Sequence, residues 1–236
     1  MAVGTLAVGL LFIAGTFMTG IFFATVSTER TIAAVAANEA FAKIQLYGLD
    51  WTDPDLDPNA PGFIAYKPDI AMEWREHLYP STADTSLSQY SWAALWKPVS
   101  AHLAEVTVFI SRQVGTVRSV DANLPFEESN LPRPVRVEVE QDAAQDTDEL
   151  EITDTAPTGS VVENTVIDDG STLVCDETGQ IYRVLERYAD RPGVIRLDRP
   201  WEEPDDAAVW VIPPPASGGR NPFVAVYQRV LRFEAE

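Results

Sequence analysis

The chain contains a single cysteine, Cys175, and only two histidines, His77 and His102, in 236 residues. One cysteine cannot form an intramolecular disulfide, and neither histidine belongs to a metal-binding pattern such as His-Glu-x-x-His. The sequence also lacks a Gly-x-Ser-x-Gly nucleophile motif, a P-loop and a dinucleotide-binding glycine motif. Because these absences argue against the common classes of enzyme, we predict that the protein has no catalytic residues.

Basic residues are also scarce. Lys and Arg number 17 against 36 Asp and Glu, which gives a formal net charge of -19. Nucleic-acid binding needs clustered Lys and Arg to neutralise phosphates, so we expect no nucleic-acid partner. Between Glu138 and Tyr182 the chain has thirteen acidic residues and no basic one. We interpret this stretch as a solvated loop with acidic strand edges rather than as a cation site.

Charge is missing altogether from Ala2 to Thr28, a run of 27 residues. A membrane span needs ~20 mainly apolar residues. No basic residue precedes the run, which is also longer than the apolar core of a secretory signal peptide. From Glu29 to Tyr47 the helical pattern continues without Pro or Gly, and Gly48 suits a left-handed helix cap. We therefore predict one long helix, with a transmembrane half over residues 1–28 and an amphipathic half over 29–48.

Small side chains recur at four-residue spacing within the uncharged half of this helix. Such a stripe lets the backbone of another helix approach closely, as membrane helices do when they pack. We predict that the stripe is a helix-packing and assembly surface, and an ordinary single-span anchor is the alternative. The stripe consists of Thr16, Gly20, Ala24 and Thr28.

The rest of the chain divides into two predicted regions. Residues 49–103 form a loop region rich in Pro and Asp, with short helices within Ile70–Leu78 and around Leu87–Trp96. Residues 104–236 form an antiparallel β domain, because runs of β-branched residues alternate with turn sequences. The spacing of the C-terminal strands, about ten residues each, suits a small antiparallel sheet or a partial barrel. The predicted strands are 104–112, 135–140, 172–175, 181–186, 194–197, 209–212 and 223–233.

The predicted fold class is α+β. The long N-terminal helix, transmembrane and then amphipathic, packs on the C-terminal antiparallel β-sheet domain through an apolar face. This face is formed by Ala34, Ala37, Phe41 and Ile44.

One loop carries a weak calcium pattern. Oxygen-bearing side chains stand at every second position, as they do in calcium-binding loops. Pro54 and Pro58 interrupt the pattern, and the loop lacks a central Gly and a distal bidentate Glu. Apart from this candidate we expect no metal and no cofactor. Its residues are Asp53, Asp55, Asp57 and Asn59.

A hydrophobic helix that continues into an amphipathic helix, a loop region and an antiparallel sheet resembles the type IV pilin and type II secretion pseudopilin superfamily. The helix segments that carry the resemblance are 9–20, 27–34 and 38–44. Segments 90–96, 106–112 and 227–233 are similar to parts of large minor-pilin-like proteins of planctomycete type. The resemblance implies a non-catalytic structural subunit of a type IV pilus or a type II secretion-like filament.

The resemblance also implies a location and partners. The protein would be stored in the inner membrane as a single-pass protein, with its C-terminal domain extracytoplasmic. Its partners would be other pilin or pseudopilin subunits through the N-terminal helix, membrane lipid and an inner-membrane assembly platform. The acidic domain would make a repetitive filament self-repelling, which favours a minor or tip-associated subunit.

The beginning of the chain departs from the family. Members start with a short basic leader, followed by a run like Thr-Leu-Ile-Glu in the mature helix. Here Thr5 and Leu6 are followed by Ala7 and Val8, with neither leader nor glutamate. We expect that Met1 is a downstream start or a truncation, so that the leader and the first residues of the mature helix are missing.

A second interpretation belongs to another class of protein. The chain would be a single-span, membrane-anchored extracytoplasmic binding domain that does not polymerise. For either interpretation the partner surface is open. Trp51, Trp92 and Trp201 are candidate anchors for another subunit, although each is equally suited to a core or loop-packing position.

Overall fold

The computed structural model describes residues 2–53, 56, 62–81, 87–113, 131–141, 146–153, 166–191, 193–214 and 221–233, and the side chains of the first helix from Gly15 onward. Within these residues lie one α-helix, one short 3-10 helix and eleven strands. The helix α1 is Ala2–Tyr47 and the 3-10 helix is Trp74–His77. The strands are β1 Ile64–Ala65, β2 Leu78–Tyr79, β3 Tyr90–Ser100, β4 Leu103–Arg112, β5 Val135–Glu140, β6 Glu149–Ile152, β7 Thr172–Cys175, β8 Ile181–Arg187, β9 Val194–Leu197, β10 Asp206–Val211 and β11 Phe223–Arg232.

The single long helix is confirmed, and so is its cap. Gly48 has a φ of 76°, and its N–H donates to the carbonyl of Ile44 at 3.0 Å. This left-handed position ends the helix and favours glycine. The predicted apolar face is buried, except that Ala34 is half-buried. The small residues Ala33, Ala36 and Ala40 are also buried, so the helix backbone lies close to the sheet beneath it.

The sheet beneath the helix, which we call the central sheet, has the order β1-β3-β4-β11, with β2 also paired to β3. All of its pairings are antiparallel. Its long strands are buried on both faces, because one face lies under α1 and the other meets a second layer. Trp96 and Val106 pack with the helix, whereas Leu95 and Phe109 belong to an apolar cluster on the opposite face.

The second layer is a closed six-stranded barrel with the order β10-β5-β6-β9-β8-β7. Closure is produced by β10, since Val209 lies opposite both Val137 of β5 and Cys175 of β7. The barrel has its own apolar core, in which the buried Tyr182 and Trp201 rings pack together. The barrel and the central sheet meet in the cluster of Phe63, Leu95, Phe109, Val174 and Ile212.

The predicted fold class is therefore wrong. The chain is mostly β with one N-terminal helix, and the strands predicted as one antiparallel β domain divide between the central sheet and the closed barrel. Only β4 and β11 of the predicted strands lie under the helix. The predicted strands between them close into the barrel together with β6, which was not predicted, and closure leaves no unpaired edge in that layer. A transmembrane half was predicted for residues 1–28. Over the described part of the chain, no helix has the length and apolar character that a membrane crossing requires.

The two short helices had different outcomes. The one predicted within Ile70–Leu78 is confirmed as the 3-10 helix Trp74–His77. The one predicted around Leu87–Trp96 is wrong, because most of that segment is strand β3. Trp92, Ala94, Leu95 and Trp96 are buried on the two faces of the central sheet, so the segment lacks the alternation by which a strand is recognised.

Candidate functional site

The N-terminal helix leaves the folded body at Glu29. The Glu29 carboxylate accepts a charged hydrogen bond from the guanidinium of Arg112, the last residue of β4. Both side chains are mostly buried, with 18% and 20% of their surfaces exposed. This pair holds the helix against the sheet at the last point of contact before the helix extends away.

Between Gly15 and Thr28 the helix exposes large apolar side chains. Phe17 is 71% exposed, Met18 78% and Phe23 65%. Every described residue from Gly15 to Thr25 is exposed, whereas Ala33 to Ile44 contains the buried face of the same helix. We call residues 15–28 the projecting segment. Soluble proteins rarely expose a continuous apolar patch of this kind unless another molecule covers it.

The threonines of the projecting segment also present apolar surface. The hydroxyls of Thr19, Thr25 and Thr28 donate to the carbonyls four residues earlier, at 2.8 to 3.0 Å. A hydroxyl bonded to its own helix backbone does not need water, and its methyl group is then directed outward. The projecting segment is therefore suited to an apolar or helix-packed environment along its length.

The predicted helix-packing residues lie on this segment. Thr16, Gly20, Ala24 and Thr28 are all exposed. A Cβ atom built on Gly20 would have no heavy atom within 4 Å, so nothing in the described part of this chain requires glycine there. The structure thus brings the stripe and the exposed large side chains together on one projecting helix, with space for a neighbouring helix.

The second half of the helix is fixed to the body by polar contacts. Lys43 pairs with Glu39 at 3.0 Å and with Glu76 at 2.9 Å. Arg229 of β11 donates to the side-chain oxygen of Asn38 at 2.6 Å, and its guanidinium lies 4.7 Å from the centre of the Phe41 ring. The helix is thereby held rigidly at its base, and the projecting segment has a defined direction.

Only one of the four calcium candidates, Asp53, lies within the described residues. Asp53 is buried and pairs with Lys67 at 2.9 Å, so an ammonium group neutralises its carboxylate. Asp55, Asp57 and Asn59 lie outside the described residues. No group of three or more metal-ligating side chains occurs among the residues that the structure describes.

The histidines and the cysteine occupy separate places. The His77 ring packs on Trp92 with 4.6 Å between ring centres, and burial together with Arg133 lowers the pKa of His77 to about 4. His102 lies in the exposed turn between β3 and β4. Cys175 is buried in the barrel, and this burial raises the pKa of its thiol. No pair of these side chains is arranged for nucleophilic chemistry in the described structure.

The three tryptophans considered as partner anchors are packing residues. Trp92 and Trp201 are buried. Trp51 is half-buried and packs edge-on against Trp96 and Phe233, at 5.1 and 6.1 Å between ring centres. They provide no exposed aromatic anchor.

Two features of the site were not predicted from the sequence. The first is the set of large exposed side chains of Phe17, Met18 and Phe23, which stand between the stripe positions. The second is the exit of the helix from the body at Glu29. The available signal was that Glu29 is the first charged residue after the uncharged run.

Comparison of the chain with models of known protein families gave no match, and searches of curated proteins and of solved structures likewise gave none.

Proposed function

We propose that the protein is a non-catalytic structural subunit, a minor pilin or pseudopilin, that assembles into a type IV pilus or type II secretion-like filament through its N-terminal helix. The observation that carries the proposal is the projecting segment, in which large apolar side chains stand exposed on a helix anchored to a folded body. The resemblance of segments 9–20, 27–34 and 38–44 to the pilin superfamily supports the same proposal.

The energetics favour burial of this segment by a neighbour. Covering a Phe, Met or Ile side chain contributes about 1.5–3 kcal/mol each, so five such residues contribute on the order of 10 kcal/mol before the cost of ordering the partners. Small residues along the stripe let helix backbones approach closely and add packing contacts. The free energy of assembly therefore comes from the helix. The five residues are Phe17, Met18, Ile21, Phe22 and Phe23.

The proposal includes a location. The subunit would be held at the inner membrane before assembly, with the central sheet and barrel on the extracytoplasmic side and an assembly platform as a partner. The uncharged run from Ala2 to Thr28 supports this part of the proposal. The net charge of -19 supports a minor role, because many adjacent copies would repel one another.

Association of the purified full chain in mild detergent tests the proposal. We expect oligomers in analytical ultracentrifugation, and we expect the variant Phe17→Ser/Phe22→Ser to remain monomeric with an unchanged melting temperature. The matched control is Val35→Ser/Leu46→Ser, which removes exposed apolar residues from the same helix within the body. A wild-type chain that stays monomeric at all concentrations would support the alternative, an anchored binding domain that does not polymerise.

A further inference from the structure

Strand β11 forms one edge of the central sheet. Among the described strands it pairs with β4 alone, from Phe223 opposite Ser111 to Arg232 opposite Leu103. A long unpaired edge offers a row of N–H and C=O groups to any extended chain, so proteins usually shorten, twist or cover such edges. The edge of β11 therefore requires an explanation.

The direction of the backbone groups of β11 follows from its last hydrogen bond. Phe233 N–H donates to the carbonyl of His102 at 2.9 Å, which is the continuation of the β4–β11 pairing. These groups alternate in direction along an antiparallel strand, so those of Leu231 and Tyr227 also face β4. The N–H and C=O groups of the residues in between point away from β4, and no other described backbone group is bonded to them. The outward residues are Val226, Gln228, Val230 and Arg232.

An open groove of about 380 Å³ runs beside the first half of this edge. Residues 223–227 line one side, and Ile181 and Arg183 of β8 line the other, with Arg30 of α1 also in its wall. An extended chain paired to β11 would place alternate side chains in this groove.

Four arginines surround the edge in a protein of net charge -19. Arg30, Arg183 and Arg232 are exposed, and none of them forms an ion pair among the residues that the structure describes. Arg229 stands on the strand itself and binds Asn38. The carboxylate in the groove wall is Asp198, and its oxygen accepts from the backbone N–H of Arg183 at 3.0 Å. The carboxylate of Glu105 on β4 also lies near Gln228, but it pairs with Lys97 at 3.3 Å. Among the described residues, exposed positive charges thus outnumber exposed negative ones along β11.

We propose that the outer edge of β11 accepts an extended acidic segment of a partner protein as an additional strand. Outward backbone groups supply the hydrogen bonds, the groove receives side chains, and the arginines select for carboxylates. A second copy of β11 fits poorly, since pairing two such edges would place arginine strands side by side and like charges repel there. The inference is independent of the proposed assembly through the helix.

Fluorescence anisotropy with defined peptides tests the inference on the full chain in mild detergent. The probe is a labelled heptapeptide of alternating Glu and Val, and its controls are the same peptide with Lys for Glu and one with N-methylated backbone amides. We expect the Glu-Val peptide to bind and both controls to bind at least tenfold more weakly. The variant Arg30→Glu/Arg183→Glu should weaken binding of the Glu-Val peptide about 5- to 20-fold, because two exposed contacts between opposite charges become contacts between like charges.

A proline variant tests the edge separately. Val230→Pro removes one outward N–H and obstructs pairing with an added strand, while the hydrogen bonds of β11 to β4 are kept. Peptide binding should fall at least tenfold. The control Val230→Thr should bind the peptide as wild type does. Three results would overturn the inference. The Glu-Val peptide would show no detectable binding at millimolar concentration, the Lys-Val peptide would bind equally well, or a folded Val230→Pro variant would bind fully. Displacement of the peptide by self-association, or by vesicles of anionic lipid, would also overturn it by identifying another occupant.

Discussion

Glu29 of the helix and Arg112 of the central sheet form an ion pair at the point where the helix leaves the body. On one side of this pair the helix is buried against β3, β4 and β11, and on the other its large apolar residues are exposed. The pair therefore separates the part of the helix that stabilises the fold from the part available to partners.

Neutralising Glu29 should destabilise the fold. In Glu29→Gln the mostly buried guanidinium of Arg112 loses its counter-charge, and we expect the free energy of unfolding to fall by about 1–3 kcal/mol. The matched control is Glu138→Gln, whose carboxylate is 61% exposed and pairs with Arg136 at 3.4 Å. That change should cost at most about 0.5 kcal/mol. Urea unfolding followed by tryptophan fluorescence measures both, and equal effects would contradict the structural role of the Glu29 pair.

Enlarging Gly20 should separate assembly from folding. A side chain at Gly20 meets no atom of the described chain within 4 Å, so Gly20→Leu should leave the melting temperature unchanged or slightly raised. It should weaken self-association at least tenfold, because it blocks close approach of a neighbouring helix. Gly20→Ala keeps a small residue and should associate nearly as wild type. Analytical ultracentrifugation and thermal unfolding on the same samples distinguish the two effects, and normal association of Gly20→Leu would contradict close packing at the stripe.

Acid should destabilise the protein through His77. Burial, Arg133 and Lys43 lower the pKa of His77 to about 4, below the usual 6.5 of an unfolded chain. Above pH 6.5 the His77 imidazole is neutral in both the folded and the unfolded chain. Between pH 6.5 and 4 the unfolded chain binds the proton more readily, so the free energy of unfolding falls as the pH falls. The contribution is about 1–3 kcal/mol.

The variant His77→Phe should lose this part of the pH dependence and keep the packing on Trp92. His102→Phe is the control, because it removes the other histidine from an exposed turn and leaves His77 in place. Urea unfolding at pH 7, 5.5 and 4.5 measures the slope. An unchanged slope in His77→Phe would contradict the assignment.

Asp176 should be the main polar link between the barrel and the central sheet. Its buried carboxylate accepts from the indole N–H of Trp210 at 2.7 Å, the backbone N–H of Phe63 at 2.9 Å and the guanidinium of Arg136 at 3.1 Å. Removing it in Asp176→Ala leaves these donors without their acceptor and should cost about 2–4 kcal/mol. Glu177→Ala, on the exposed neighbouring residue, is the control. Similar urea midpoints for the two variants would contradict this role.

The sequence predicted those elements whose pattern is local. β5, Val135–Glu140, alternates strictly between valine and charge because one side faces the barrel core and the other faces water, and its bounds were predicted correctly. The helix was predicted over its full length, with Gly48 as its cap. These features depend only on neighbouring residues in the chain.

The missed elements depend on distant partners. β3 is buried on both faces, so its Trp and Ala residues show no alternation. β6 lies in the acidic stretch interpreted as a loop, yet Glu149 is buried because Arg191, 42 residues away, binds both of its carboxylate oxygens at 3.0 and 3.1 Å. Barrel closure follows from β10 pairing with both β5 and β7, and no local pattern specifies this pairing.

The candidate site was predicted in part for the same reason. The stripe is periodic and therefore visible in the sequence. Whether an apolar helix residue is buried or exposed depends on where the folded body lies. Phe41 is buried and Phe17 is 71% exposed, yet nothing in the sequence distinguishes these two phenylalanines of one helix. The first charged residue after the uncharged run, Glu29, hints at the boundary. Its ion pair with Arg112, 83 positions away in the chain, fixes where burial ends.

Cysteine crosslinking along the projecting segment is the direct test of assembly through the N-terminal helix. The native Cys175 can remain, because its thiol is buried and burial raises its pKa. The variant Thr16→Cys/Ala24→Cys carries two cysteines on the stripe, and Val35→Cys/Leu46→Cys carries two on exposed positions of the same helix within the body. After mild oxidation in membranes, we expect a ladder of covalent oligomers for the stripe variant and mainly monomer for the control. Monomer in both variants, or ladders of equal extent, would contradict assembly through the N-terminal helix.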